Sequence, residues 1–108
     1  VGLKNYQKAY ICYTNAQKIN KLYNAYGLSP TIPWRLSQLF YKLYHINYQG
    51  VILDGSNEIR PENFLPLAKK YIEETNKMNE NRNGFLYHMA LQYKLYSKIL
   101  FEIFCPKL

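Results

Sequence analysis

Apolar residues recur at three- and four-residue spacing in four separate stretches of this chain, and nowhere do they alternate over a sustained run. Such spacing holds one stripe of side chains on one side of a helix, so the pattern restricts the chain to helix-on-helix packing. Gly27, the segment from Pro30 to Pro33, Gly50, Pro61 and Gly84 separate the stretches. At 108 residues there is room for one domain. The expected fold is all-α: a single helical domain over residues 1–108, a four-helix, bundle-like arrangement with a long apolar-containing loop at about 48–60.

The first stretch, from about Leu3 to Tyr26, places Ala9, Cys12, Ala16, Ile19, Tyr23 and Tyr26 on one stripe. Lys4, Lys8, Asn15 and Lys18 fall opposite, with Lys21 at their edge and Ile11 and Leu22 interrupting them. The second, about Trp34 to Asn47, is the cleanest amphipathic pattern. Leu36, Leu39, Phe40, Leu43 and Tyr44 face one way, and Arg35, Gln38, Lys42, His45 and Gln49 the other. Its start lies at Ser29, with Pro30 in the first turn, or later.

Beyond it, Val51, Ile52 and Leu53 form an apolar triplet that a loop must tuck against the core, as a short extended strap closed by a turn at Asp54-Gly55. The third helix is expected from Pro61 or Asn63 to Asn79, with Phe64, Ala68, Tyr71, Thr75 and Met78 inside. Pro66 belongs in its first turn or forces a kink, and Glu73 and Lys77 stand one turn apart as an exposed pair.

The fourth helix, from Phe85 to about Cys105, has its stripe at Leu86, Met89, Tyr93, Tyr96, Leu100 and Ile103. Leu91, Leu95, Ile99, Phe101 and Phe104 lie outside that stripe. A helix apolar on more than one side is either central or touches a second chain. Leu95, Ile99, Phe101 and Phe104 are therefore the candidate self-association surface.

Charge is placed unevenly. Of the net +7, +6 accumulates by residue 53, where Lys4, Lys8, Lys18, Lys21, Arg35 and Lys42 occur with no carboxylate. All seven acidic residues lie from Asp54 onward. Such asymmetry points to a polyanionic partner, and these six residues are the candidate nucleic-acid-binding set. Lysine outnumbers arginine, which favours point contacts with phosphate over bidentate reading of bases. The 12 tyrosines and abundant Asn, Lys and Ile also fit an AT-rich coding genome. Tyr41 and Tyr87 are candidates for stacking on bases.

Catalytic patterns are missing. There is no Walker loop, no GxGxxG and no HExxH, and Asp54-Gly55-Ser56-Asn57-Glu58 lacks the ligand spacing of a calcium loop. His45 and His88 have no Cys or carboxylate at ligand spacing, so no metal and no cofactor are expected. Glu58 with Glu62, or Glu73 with Glu74, read as solvated carboxylates. Cys12 and Cys105 sit in apolar contexts and read as free core thiols. A Cys12–Cys105 bridge requires the first and last helices to run antiparallel. No apolar run approaches the roughly 18 residues of a membrane span, and Val1 to Tyr6 does not read as a signal peptide.

The expected function is non-enzymatic: a small basic protein that self-associates and binds nucleic-acid backbone without sequence specificity, in the cytoplasm or a virion. A coat, DNA-packaging or accessory role in a virus or mobile element suits that combination. The alternative is a protein-binding module, an inhibitor or adaptor that meets a host protein through its apolar C-terminal helix. A ligand-sensing helical regulator is a third reading.

Overall fold

The computed structural model describes residues 5–22, 30–80 and 86–105. Its elements are α1 (Tyr6–Leu22), α2 (Thr31–His45), β1 (Ile52–Asp54), β2 (Asn57–Ile59), α3 (Pro61–Glu80) and α4 (Leu86–Phe104). The four helices pack against one another, with one small two-stranded hairpin, so the all-α expectation holds.

The core is the antiparallel pair α2–α3. Ser37 and Ala68, both fully buried, meet at the crossing, and the Ser37 hydroxyl donates to the Ala68 carbonyl at 2.7 Å. Small residues there let the helices approach closely. Phe40 then reaches the rings of Phe64, Tyr71 and, on α1, Tyr10, with centroids 5.7–6.0 Å apart. Leu36, Leu39 and Leu43 complete the buried face of α2, as its periodicity predicts.

Helix ends follow local chemistry. Pro30 caps α2 and Pro33 lies in its first turn, where the amide nitrogens have no intrahelical acceptor. At the other end the Asn47 N–H donates to the Tyr44 carbonyl and the Tyr48 N–H to the Leu43 carbonyl. Asn47 has φ +57°, which makes this a Schellman stop with asparagine in the left-handed position. Tyr48 then folds its ring over Gly50, where a Cβ would stand 2.8 Å from that ring.

At the start of α3, Pro61 occupies the first position, and the Asn63 side chain accepts from the Arg60 N–H at 3.2 Å, half of a capping box. Pro66 lies inside α3, beyond the first turn. Removing one N–H there leaves the rest of this 20-residue helix to continue to Glu80.

Residues 48–60 differ from the expected strap. They form an antiparallel hairpin with Ile52 opposite Ile59 and a two-residue turn at Gly55-Ser56, where Gly55 takes φ +65°. Only Ile52 of the apolar triplet is buried, because successive strand residues point to opposite faces; Val51 and Leu53 are exposed. The Gln7 side chain closes the edge of β1. It accepts from the Leu53 N–H at 2.6 Å and donates to the Leu53 carbonyl at 2.9 Å.

Two stripes are rotated from their expected positions. In α1 the inward residues are Tyr6, Ala9, Tyr10 and Tyr13, whereas Cys12 and Ile19 are exposed. Tyrosine brings more burial area than alanine or cysteine, so the tyrosine row wins the core-facing side. In α4, Gln92 and Ile99 are buried with Leu95, Tyr96 and Ile103 packed beside them, and Tyr93 points outward. With this rotation the buried Asn79 side chain donates to the buried Gln92 side chain, so each amide gains a partner.

Asn76 and Asn79 also join the buried face of α3, and Met78 is half-buried. Glu73 pairs backward with Lys69 at 3.1 Å and accepts from the Tyr96 hydroxyl at 2.9 Å. Both contacts hold its carboxyl below the usual range, the tyrosine hydrogen bond being the larger cause. Cys12 and Cys105 are free and exposed, not the core thiols expected from their neighbours. Tyr23, Tyr26, Gly27, the Glu80–Gly84 turn beyond Glu80, and the side chains of Leu86 and Tyr87 lie outside the described residues.

Candidate nucleic-acid interface

α4 packs along α3 and touches α2 only lightly, which leaves a cleft of about 320 Å³ between α2 and α4. Helical spacing explains its lining. On α2, Trp34, Gln38, Tyr41 and Lys42 fall on the side next to α4; on α4, Leu91, Lys94, Leu95 and Lys98 fall on the side next to α2. Of these, Trp34 is buried, Leu91 and Leu95 are half-buried, and Lys42, Lys94 and Lys98 are exposed.

Three lysines from two helices converge here, and none of them is in an ion pair among the described residues. Arg35 adds a fourth cation. Its guanidinium lies 5.5 Å from the Trp34 ring centroid and donates to the Gln38 side chain at 3.3 Å. Trp34 is 8% exposed, and its indole N–H is buried without an acceptor among the described residues. Such an orphaned donor is costly, by about 1–3 kcal/mol.

The cleft continues into a second hollow of about 570 Å³ lined by His45, Ser97, Phe101 and Glu102, sharing Tyr41 and Lys98 with the first. The Tyr41 ring stacks with His45 at 5.9 Å and 22°, and the Tyr44 ring lies 6.5 Å from it. Burial, and then the Glu102 charge, push the Tyr41 hydroxyl's pKa up. Glu102 itself accepts from the Tyr44 hydroxyl at 3.2 Å. On the other flank of α4, a hollow of about 570 Å³ carries Lys69 and Lys70 against Glu73 and Glu102, so its charges balance.

The six basic residues anticipated from the sequence divide in space. Arg35 and Lys42 flank the cleft. Lys8, Lys18 and Lys21 are exposed on α1, which packs on α2 and β1 and intersperses them with exposed Ile11, Ile19 and Leu22. Lys4 lies outside the described residues. The sequence reading omitted Lys94 and Lys98, because α4 stood out there only for its apolar surplus. Their i, i+4 spacing was the available signal.

The anticipated self-association residues divide as well. Ile99 is fully buried and Leu95 packs against the core, so the contacts of Ile99 lie within the chain. Phe101 and Phe104 are 60% and 73% exposed. Among the described residues no group of three or more His, Cys, Asp or Glu could hold a metal ion, and no helix is long and apolar enough to cross a membrane.

Compared with protein-family models, with curated proteins and with solved structures, the chain matches none of them.

Proposed function

We propose that this protein binds nucleic-acid backbone without sequence specificity and without catalysing a reaction, as a coat, packaging or accessory protein of a virus or mobile element. The observation that carries this reading is the convergence of Lys42, Lys94 and Lys98, with Arg35 beside them, on one cleft that holds no opposing carboxylate at its narrow part. Lysine ammonium groups act as point charges on phosphate, which suits binding that ignores base identity. Lys8, Lys18 and Lys21 on α1 add exposed positive charge outside the cleft lining.

Fluorescence anisotropy with a labelled oligonucleotide across a salt series tests this. Four phosphate contacts give a slope of log affinity on log salt near about −3.6 on duplex. The triple charge reversal Lys42→Glu, Lys94→Glu, Lys98→Glu is expected to abolish binding, whereas Lys8→Glu with Lys18→Glu weakens it only modestly. Salt-independent affinity, or a triple variant that binds normally, overturns the reading.

The exposure of Phe101 and Phe104 favours self-association through the end of α4 as a second element of the same function. Light scattering is expected to show an oligomer that Phe101→Glu and Phe104→Glu convert to monomer. A monomeric wild-type protein removes this element and leaves nucleic-acid binding standing.

A further inference from the structure

We infer that the occupant of the α2–α4 cleft is a single strand, whose bases enter the cleft while its phosphates stay at the exposed lysines. This rests on the nucleic-acid reading above and adds to it the class of nucleic acid. The shape is the first reason. The cleft is a recess between two helices lined by half-buried Leu91 and Leu95, the Trp34 and Tyr41 rings, and exposed Lys42, Lys94 and Lys98. A paired duplex presents phosphates outward and keeps its bases stacked inside, so only unpaired bases can fill an apolar recess of this kind.

The second reason is the order of chemistry along the groove. Tyr41 and Lys98 line both the first hollow and the second, so the tyrosine stands between two places of suitable size for a base. Its half-buried ring already has His45 and Tyr44 as neighbours, and an aromatic ring so placed loses less freedom than an exposed one when a base stacks on it.

Lys94 and Lys98 stand one helical turn apart, about 6 Å along the axis, and track the same line as the rings. Glu102 marks the end of the groove, since its carboxylate repels a further phosphate. The balanced hollow on the other flank of α4 has no comparable preference for an anion.

The test compares a labelled thymidine oligomer with a duplex of equal length at matched salt, using the full chain. The expected result is at least about tenfold tighter binding of the single strand, with a change in the fluorescence of Trp34, the one tryptophan of the chain. Loss of one stacked base corresponds to roughly 5- to 150-fold in affinity. Tyr41→Ala is expected to lower single-strand affinity by that factor, to leave duplex affinity unchanged, and to be rescued by Tyr41→Phe.

Equal affinity for strand and duplex, or equal weakening of both by Tyr41→Ala, overturns the inference while backbone binding survives. Displacement of the thymidine oligomer by poly-glutamate at equal charge concentration also overturns it, since the groove is then selective for charge alone. Absence of binding to either nucleic acid at low salt removes both this inference and the function it rests on.

Discussion

α2 and α4 are similar in length, 15 and 19 residues, yet their apolar content is used in opposite ways. α2 alternates its apolar and polar residues cleanly and buries seven side chains. α4 is richer in apolar residues, but among its described side chains only Gln92 and Ile99 are fully buried, and Tyr93, Phe101 and Phe104 face outward. The difference is one of neighbours. α2 lies between α1 and α3 with α4 beside it, whereas α4 has its extensive contact with α3 alone. The number of elements around a helix decides how much of its apolar surface is covered. Part of the surplus on α4 borders the cationic cleft, so a helix that leaves much of its apolar surface uncovered contributes half of the cleft lining.

The largest expected effect separates the two helices by stability. Phe40→Ala removes a fully buried ring in contact with Tyr10, Phe64 and Tyr71, and is expected to cost about 3–5 kcal/mol in urea unfolding. Phe104→Ala, at a 73% exposed position, is expected to change stability by no more than about 0.5 kcal/mol. A large loss at Phe104 shows instead that a second chain covers α4 in solution.

A smaller effect sharpens the contrast on the inner side of α4. Gln92→Ala strands the buried Asn79 amide and is expected to cost about 1–3 kcal/mol. Asn76 is buried with both ends of its carboxamide unpartnered among the described residues. Asn76→Leu is therefore expected to be neutral or stabilising. The calorimetric midpoint should fall for Gln92→Ala and hold or rise for Asn76→Leu; a fall in Asn76→Leu points to a bound water as the partner.

The smallest effect at neutral pH comes from the tyrosines. Burial is the first cause that raises the pKa of Tyr10, Tyr41, Tyr44 and Tyr71, and the Glu73 hydrogen bond is the first for Tyr96. The folded chain thus holds these protons more tightly than the unfolded chain. Stability from this source is complete below pH 10.0, the ordinary phenol value, and is lost as pH rises above it. Tyr10 is shifted strongly, with Tyr71 and Asp54 adding to burial. Tyr10→Phe is expected to flatten the alkaline fall in unfolding midpoint more than Tyr96→Phe does, with phenolate absorbance reporting the titration.

Legibility in the sequence varied with the kind of information each residue carries. The inner face of α2 was readable because Leu36, Leu39, Phe40 and Leu43 form one unbroken apolar row, which the small buried Ser37 joins without displacing. α1 was misread because Tyr6, Tyr10 and Tyr13 form a row as regular as Ala9, Cys12, Ala16 and Ile19. Spacing alone does not rank two rows, and tyrosine is ambiguous between surface and core. The rotation of α4 brings Asn79 to Gln92, a pairing of residues that are each ordinarily exposed. Of the candidate site, Arg35, Lys42 and Tyr41 were within reach of the sequence. Lys94 and Lys98 were hidden by the near balance of charge after residue 53, which conceals that α3 carries more of the acids than α4 does.

By itself the amino-acid order determined that this chain folds as helices, where Asn47 and Gly55 stop or turn it, and that its positive charge accumulates before its negative charge. These are local properties, set by backbone conformation and by spacing along one helix. The tertiary structure decided which of two competing stripes is buried, that Ile52–Asp54 and Asn57–Ile59 pair as a hairpin contacted by Gln7, and that Lys42, Lys94 and Lys98 share one cleft. Those outcomes depend on contacts between residues distant in sequence, whose free energy exists only when the partner helix is already in place.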